Sequence, residues 1–566
     1  MLGLCSFTHD SAAALIVDGQ LVGLVEEERL SGVKHTKDYP ALAVGWLLDE
    51  VGLRPAEVDV VAYNFAGYRY LAAVPGSLPL LLRGPTRSRA WPRARSFATI
   101  HARYRRRMSE LARRFPNATV RAIPHHRAHG VCAFAAAGYE QAAVLVVDSL
   151  GETQTTSIAH ARSVGTGVDY KVLASINDPH SLGYAYGAVT AHLGWRRGDE
   201  EGTVMALSAL SDPARFRDVF GRAIRLTPTG FALDPRWLPP RILRHGHPRV
   251  TARFIAETCQ PRQPGDEVGQ VHADMAAAVQ ERTEQVMLHL ARRAREVTGS
   301  RLLCIGGGVA MNCVSIGRIA TSGLFDEVAV PPAPGDSGTA VGAAAAAFQD
   351  ATGVLPGGIA HRCYLGPSYP SFVPRVEPGS GMKVRRVDDP ATFLAEQLAA
   401  GQLVGLFQGR LEAGPRALGN RSILASPLMP GVVGRLNSTV KYREPFRPFA
   451  PVVLADKAPD YFTLTQLSPY MSMAVSVTEL ARQRLPALVH TNGTARVQTV
   501  TETQNRFLSA VLTSFAARTG VPVLVNTSLN IKGKPICGTP EMALECLAVS
   551  GLDAILFDGG WWVSKP

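Results

Sequence analysis

Short unbroken apolar runs, each followed by a polar or glycine-bearing turn, punctuate the first 350 positions. Leu2-Gly3-Leu4-Cys5-Ser6-Phe7 reads as a buried strand, with Thr8-His9-Asp10-Ser11 as the polar turn behind it. Ala12 to Val17, Asp18-Gly19, then Leu21 to Val25 predicts a hairpin, because an Asp-Gly pair accepts the left-handed backbone of a tight turn. Ala143 to Val147 is a second fully apolar strand that ends on Asp148, and Thr153 to Ala159 returns from it. Strand, carboxylate-bearing turn and hairpin thus occur twice, over 2–25 and 142–175, which predicts a duplicated α/β domain with its cleft between the halves. Helical periods fill the intervals. Small residues run from Ser181 to about Leu193, and Glu200 to Leu207 reads as a loop entering a helix. Val271, Met275, Val279, Val286, Leu290 and Val297 trace one face of a long helix closed by Gly299, and an alanine-rich helix runs from Thr339 to Phe348.

Between 350 and 380 the period is lost among prolines and glycines, so 356–380 reads as a linker joining domains of 1–355 and 381–566. Beyond it, strand Leu403 to Phe407 leads into Gln408 to Ser422, where arginines alternate with glycine and proline. Lys441 to Phe449, Thr494 to Gln498 and Asn526 to Asn530 repeat that theme of polar loops. Guanidinium forks match phosphate oxygens, and four such loops on one domain predict a convergent phosphate pocket.

Composition narrows the class. A chain of 566 residues is too long for one core, and 46% hydrophobic with 19% charged residues describes an ordinary globular protein. No basic-then-apolar leader and no membrane-length apolar run is expected. The eight cysteines are scattered without a CxxC pair, which predicts buried thiols in a reducing cytoplasm. Of the net charge of +12, +10 lies between Arg83 and Arg114, where eleven arginines face the single acid Glu110. That arm could touch RNA, but it has no recognition motif, so a solvated helical insertion bordering a substrate cleft is the expectation.

Candidate chemistry centres on Pro124-His125-His126-Arg127-Ala128-His129. On a helix, His125 and His129 stack on one face, where two imidazoles can grip a divalent cation. A histidine-rich solvated turn is the alternative. Asp148 and Asp336, each at a turn near glycine, would complete a nitrogen and oxygen donor set suited to iron, manganese or zinc. His9 and Asp10 could act as acid, base or substrate anchor, or only cap their turn. Lys34 is a candidate to meet an anionic ligand. Gly306-Gly307-Gly308, after a buried strand, lets the backbone approach a ligand closely, although it is neither a Walker A loop nor GxGxxG.

His9-Asp10, the HxxxH of His125 and His129, GGGVAMN from Gly306 to Asn312 and GDSG around Asp336 resemble, in this order, the amino-terminal half of the NodU/CmcH carbamoyltransferases. GPRALGNRS, VKYREPFRPFAP, GTARVQ and NTSLN resemble the same family's carboxy-terminal half, so the likeness spans nearly the whole chain. Thr203 and Ala206 stand where relatives carry lysine and glycine, and Leu529 replaces an aromatic. The resemblance, which extends to a tobramycin carbamoyltransferase, implies a duplicated actin-like (TsaD/Kae-like) domain followed by a YrdC-like domain. It implies one metal, Fe(II) or another divalent ion, on His125, His129, Asp148 and Asp336. Contacts to the nucleotide and phosphates would come from Gly183, Gly307, Met311, Asn312, Arg416, Arg447 and Arg496, the carbamoyl end would be held by Lys441, Asn526 and Ser528, and catalysis would use His9, Asp10 and Lys34. The activity implied is ATP-dependent O-carbamoyl transfer: carbamoyl phosphate and Mg-ATP yield carbamoyl-adenylate, and the carbamoyl group passes to a hydroxyl of a small-molecule natural product, as in antibiotic biosynthesis. A tRNA-modifying threonylcarbamoyl-type protein is the alternative. No membrane or nucleic-acid partner is expected, and a homodimer is compatible with the pattern.

Overall fold

Strand Leu2–Cys5 is buried at every position, so it must lie inside a sheet covered on both faces. It does. In the computed structural model, which describes all residues except Thr8, Arg83, Gly165, Thr166, Arg244 and His245, the strands run in the order Gln20–Glu26, Ala12–Val17, Leu2–Cys5, Val60–Tyr63, Thr119–Ala122. Thr8 of the expected polar turn and Arg83 of the basic arm therefore lie outside the described residues. The first three strands form an antiparallel meander, and the last two add in parallel. A second five-stranded sheet runs Gly167–Asn177, Gln154–Val164, Gln141–Gly151, Leu302–Gly306, Glu327–Ala329, with the same sequence of antiparallel and parallel neighbours. One topology is thus used twice in an α/β fold. The helices His125–Ala137 and Thr339–Thr352 pack together, and a Cβ on Gly342 would strike the Ala128 carbonyl, so small residues set their separation.

The chain forms two compact units, one of Met1–Val22 with Val44–His361, the other of Gly23–Ala43 with Arg362–Pro566. The second is built on an eight-stranded mixed sheet in the order Lys383–Arg386, Trp561–Ser564, Ala554–Phe557, Val404–Phe407, Arg421–Ala425, Val523–Ser528, Ala450–Leu454, Gln498–Val500. Among the described residues no helix is long and apolar enough to cross a membrane. Seven cysteines are buried and Cys259 is partly so, all as free thiols.

Three local expectations change. Asp148 is not in a turn: it lies inside strand Gln141–Gly151, where the register with the neighbouring strand slips between Val147 and Gly151. Such a bulge re-aims side chains, which frees the Asp148 carboxylate from the pleat. Lys441 ends a π-helical turn, Asn437–Lys441, rather than sitting on a loop. The basic arm is a helix, Ala90–Arg114, but not a wholly solvated one. Arg93 is buried against Asp178, and Arg107 is buried beside Glu110 with its guanidinium over the Phe7 ring.

Candidate functional site

Helix His125–Ala137 starts immediately after Pro124, and its first two turns carry His125 and His129 into the protein on one face. Their Nε2 atoms are 3.1 Å apart. His125 Nε2 lies 3.5 Å from Asp148 Oδ2 and 3.5 Å from Asp336 Oδ1, and His129 Nε2 lies 3.6 Å from that same Asp336 oxygen. One donor atom from each of the four residues falls within 4.8 Å of the others. Helix, bulged strand and the short turn Asp336–Gly338 thus deliver two imidazole nitrogens and two carboxylates to one point.

The surroundings fix each donor. His125 Nδ1 faces the Asn64 carbonyl at 3.2 Å, and a carbonyl only accepts, so Nδ1 carries the proton and Nε2 is the atom turned to the cluster. Phe65 stacks on the His125 ring with centroids 4.1 Å apart. Asn64 donates to Thr339 Oγ1 at 2.7 Å, and Thr339 in turn donates to the Asp336 carbonyl. Asp148 Oδ1 accepts from the Gly308 amide at 3.0 Å. Burial opposes charge on His125, but Asp336 and Asp148 outweigh it and hold the imidazole well above its usual range. Burial likewise works against Asp336, while His125 and His129 bring it down to about 2. Two imidazole nitrogens and two carboxylates form a donor set that suits a divalent transition ion. His126, between them in sequence, turns away: it meets Ser157 Oγ at 3.0 Å, and burial lowers its pKa to about 3.

The glycine stretch supports this cluster with backbone. Gly307 has φ +91° and takes its place so close to Val147 that any Cβ would strike the Val147 carbonyl. Gly183, at the start of helix Leu182–His192, lies against the Asp148–Ser149 backbone, a Cβ there standing 3.0 Å from Ser149 N. Met311 is 37% exposed, beside Gly335. Asn312 is committed elsewhere: it caps helix Cys313–Ala320 through Ser315 N and exchanges two amide hydrogen bonds with Gln280. His9 Nδ1 lies 3.0 Å from Asp10 Oδ2, and the imidazole abuts Gly198. Lys34 belongs to the other unit, half-buried after the short helix Glu27–Ser31.

In that second unit Lys441 Nζ reaches both oxygens of Ser528 and of Asn530, with Asn530 Oδ1 at 2.7 Å and Ser528 Oγ at 3.1 Å. Burial, then the nearby Arg443, bring its pKa down to about 7. Arg443 is itself depressed to about 9 by burial, with Arg447 and Arg496 adding to the effect. Arg496 Nε is buried without a hydrogen-bond partner. Asn526 donates to Gln498 Oε1 at 2.7 Å and to the Ala417 carbonyl, and its own Oδ1 is buried and unpaired. Arg416 is half-buried on the loop just before Ala417. Crowded cations and polar atoms without partners are the signature of a pocket for an anion. Sequence reading left Arg443, Gln498 and Asn530 out of the set, although each stands within a motif it singled out. Arg421 plays a different part from the other arginines of its loop. It is fully buried, donates to the carbonyls of Gln408, Asn420, Pro367 and Gly409, and lies 3.6 Å over the Phe407 ring.

Comparison with known proteins gives these arrangements a family. Residues 1–345 match the carbamoyltransferase N-terminus family and residues 395–565 the carbamoyltransferase C-terminus family. The nodulation protein NolNO of Sinorhizobium fredii is 33% identical over 99% of this chain and 79% of its own. Nodulation protein NolO of Bradyrhizobium diazoefficiens is 36% identical over 76% of this chain and 77% of its own. Nodulation protein U of Rhizobium tropici is 37% identical over 45% of this chain and 43% of its own. With both halves matched and the likeness running almost from end to end, the chain belongs to the carbamoyltransferase family and is a carbamoyltransferase.

Proposed function

We propose that the chain makes carbamoyl-adenylate from carbamoyl phosphate and Mg-ATP in its carboxy-terminal unit. The carbamoyl group then passes, in the amino-terminal unit, to a hydroxyl of a small-molecule natural product. The observation that carries this reading is the convergence of His125, His129, Asp148 and Asp336 on one point while a separate pocket gathers Lys441, Arg443, Arg447 and Arg496. Under the same reading the repeated sheets are an actin-like, TsaD/Kae-like domain of 1–355, and 381–566 is a YrdC-like domain after a linker.

In the carboxy-terminal pocket Arg416, Arg447 and Arg496 neutralise phosphate charge, while Lys441, Ser528 and Asn526 orient the carbamoyl end. Water cleaves carbamoyl phosphate to carbamate and phosphate. Carbamate oxygen then attacks the α-phosphorus of ATP, and pyrophosphate leaves. In the amino-terminal unit a divalent ion such as Fe(II), on the two histidines and two aspartates, would supply Lewis-acid polarisation of the carbamoyl carbonyl. Asp10 holds His9 through Nδ1, which leaves Nε2 to take the proton from the acceptor hydroxyl. The hydroxyl oxygen bonds to the carbamoyl carbon, the C–O bond to AMP breaks, and a carbamate ester is released. Gly183 and Gly307 keep the backbone open beside Asp148, and Met311 offers an exposed apolar face to an adenine ring. Lys34, in the other unit, meets an anionic ligand there.

The test uses His125→Ala and Asp336→Ala. Both should lose bound metal and carbamoyl transfer but keep carbamoyl-phosphate-dependent pyrophosphate release. Full transfer by a metal-free His125→Ala protein would refute the assignment.

A further inference from the structure

One concentration of charge is not used by the chemistry above. Asp178, 2% exposed, lies between the guanidinium groups of Arg93 and Arg241, the latter at 3.4 Å. Arg93 also donates to the Arg241 carbonyl at 2.8 Å. Arg241 donates to the Ser149 carbonyl, one residue from Asp148, and its guanidinium sits 4.7 Å from the Tyr184 ring. On this buried floor stand three arginines with solvent access. Arg89 binds the Pro248 carbonyl and so lies beside Arg249, both half-buried. Arg197 is exposed, with its stem against Gly187 and Glu201. Its neighbour Gly198 touches His9, a Cβ there standing 2.9 Å from His9 Nε2. Desolvation, then Arg249 and Arg241, bring the Arg197 pKa down to about 10, and Arg249 adds to the burial that lowers Arg241. Asp178 and Glu201 offset part of this charge, and Arg196 is occupied by Asp199.

We propose that Arg89, Arg197 and Arg249, above the Arg93–Asp178–Arg241 floor, bind an anionic group of the acceptor. The hydroxyl compound carbamoylated here then carries a phosphate, sulfate or carboxylate. The inference rests on the reading of His9 as the base, and it names the acceptor's class. Clustered guanidinium groups with part of their hydration removed are poised for a bidentate oxyanion. Arg197 adjoins Gly198, which touches His9, and Arg241 reaches the carbonyl of Ser149 next to Asp148, so an oxyanion held here belongs to the same unit and neighbourhood as the proposed base. The phosphate of the adenylate shares this chemistry and is the rival source.

Inorganic phosphate is titrated calorimetrically into the full chain at low ionic strength, with and without saturating AMP. The expected result is a phosphate site that persists with AMP present, weakens at least tenfold in Arg197→Gln/Arg249→Gln, and returns in Arg197→Lys/Arg249→Lys. No site weakened by the double glutamine variant overturns the proposal. Competition by AMP for that site overturns it too, and assigns the arginines to the adenylate. Pyrophosphate release by the wild-type chain with ATP and carbamoyl phosphate is scored separately. If it occurs without AMP-independent phosphate binding, only the acceptor inference fails. If the phosphate site is present but no pyrophosphate appears, the proposed reaction fails.

Discussion

Lys441 is a buried ammonium beside Arg443, and without a bound anion its pKa falls to about 7 from 10.5. Burial comes first among the causes, and a bound phosphate would oppose it by supplying a counter-charge. Carbamoyl phosphate binding at pH 8 should therefore take up protons, seen as a calorimetric heat that changes with buffer ionisation enthalpy. In Lys441→Met the uptake should vanish. The stability sign follows from the same shift. Between pH 7 and 10.5 the unfolded chain holds the proton that the folded chain has lost, so this residue's contribution to stability rises with pH across that window. Thermal melts of wild type against Lys441→Met should diverge in that direction.

At this scale the sequence was most readable where chemistry depends on spacing. His125 and His129 could be paired because four helical residues set their separation. Asp148 and Asp336 were visible as carboxylates near glycine, although what aims Asp148 is a register slip in a strand. Asn312 shows the limit. Its place in a glycine-rich motif says nothing of Gln280, 32 positions earlier in the chain, which occupies its side chain. The arginines around Asp178 were equally hidden, because Arg93, Asp178 and Arg241 meet only through tertiary packing.

Among the elements, the strand Leu302–Gly306 and its glycines bear most directly on the metal cluster. Gly307 is left-handed and packed on Val147, so Gly307→Ala combines backbone strain with overlap and should cost roughly 2–4 kcal/mol. Chemical denaturation should show that loss, and reconstituted divalent metal should bind more weakly because Val147 adjoins Asp148. Near-wild-type stability with normal metal affinity would contradict the role given to this turn. The helix Ala90–Arg114 makes a second case. Localised charge without a recognition motif pointed to a solvated helical insertion there, but the count of arginines could not say which were structural. Arg103, Arg105 and Arg106 are exposed, whereas Arg93 and Arg107 are buried. Changing the three exposed residues to Glu should leave pyrophosphate release intact, and the wild-type chain should show no submicromolar tRNA binding at physiological salt. Tight tRNA binding lost in that triple variant would move the protein to the alternative, RNA-modifying class.

For the whole molecule, the twofold recurrence of strand, turn and hairpin in the sequence corresponds to two sheets of identical strand order and direction. That much was legible because buried strands advertise themselves as apolar runs. The unit boundaries were harder to read: residues 23–43 join the carboxy-terminal unit although they lie early in the chain. No local pattern reports such an exchange, since it is decided by which core the segment packs against. In the proposed reaction the two units divide the work, one making carbamoyl-adenylate and the other using it. Arg496→Ala should cripple pyrophosphate release by about ten- to a hundredfold, as expected for removing a guanidinium–phosphate hydrogen bond, and transfer should fall with it. His9→Ala should release pyrophosphate normally and leave the acceptor unmodified. The most direct measurement supplies preformed carbamoyl-adenylate to both variants and follows the carbamoylated product by mass spectrometry. Division of the reaction between two units predicts rescue of Arg496→Ala and none of His9→Ala; an equal response of the two variants would rule that division out.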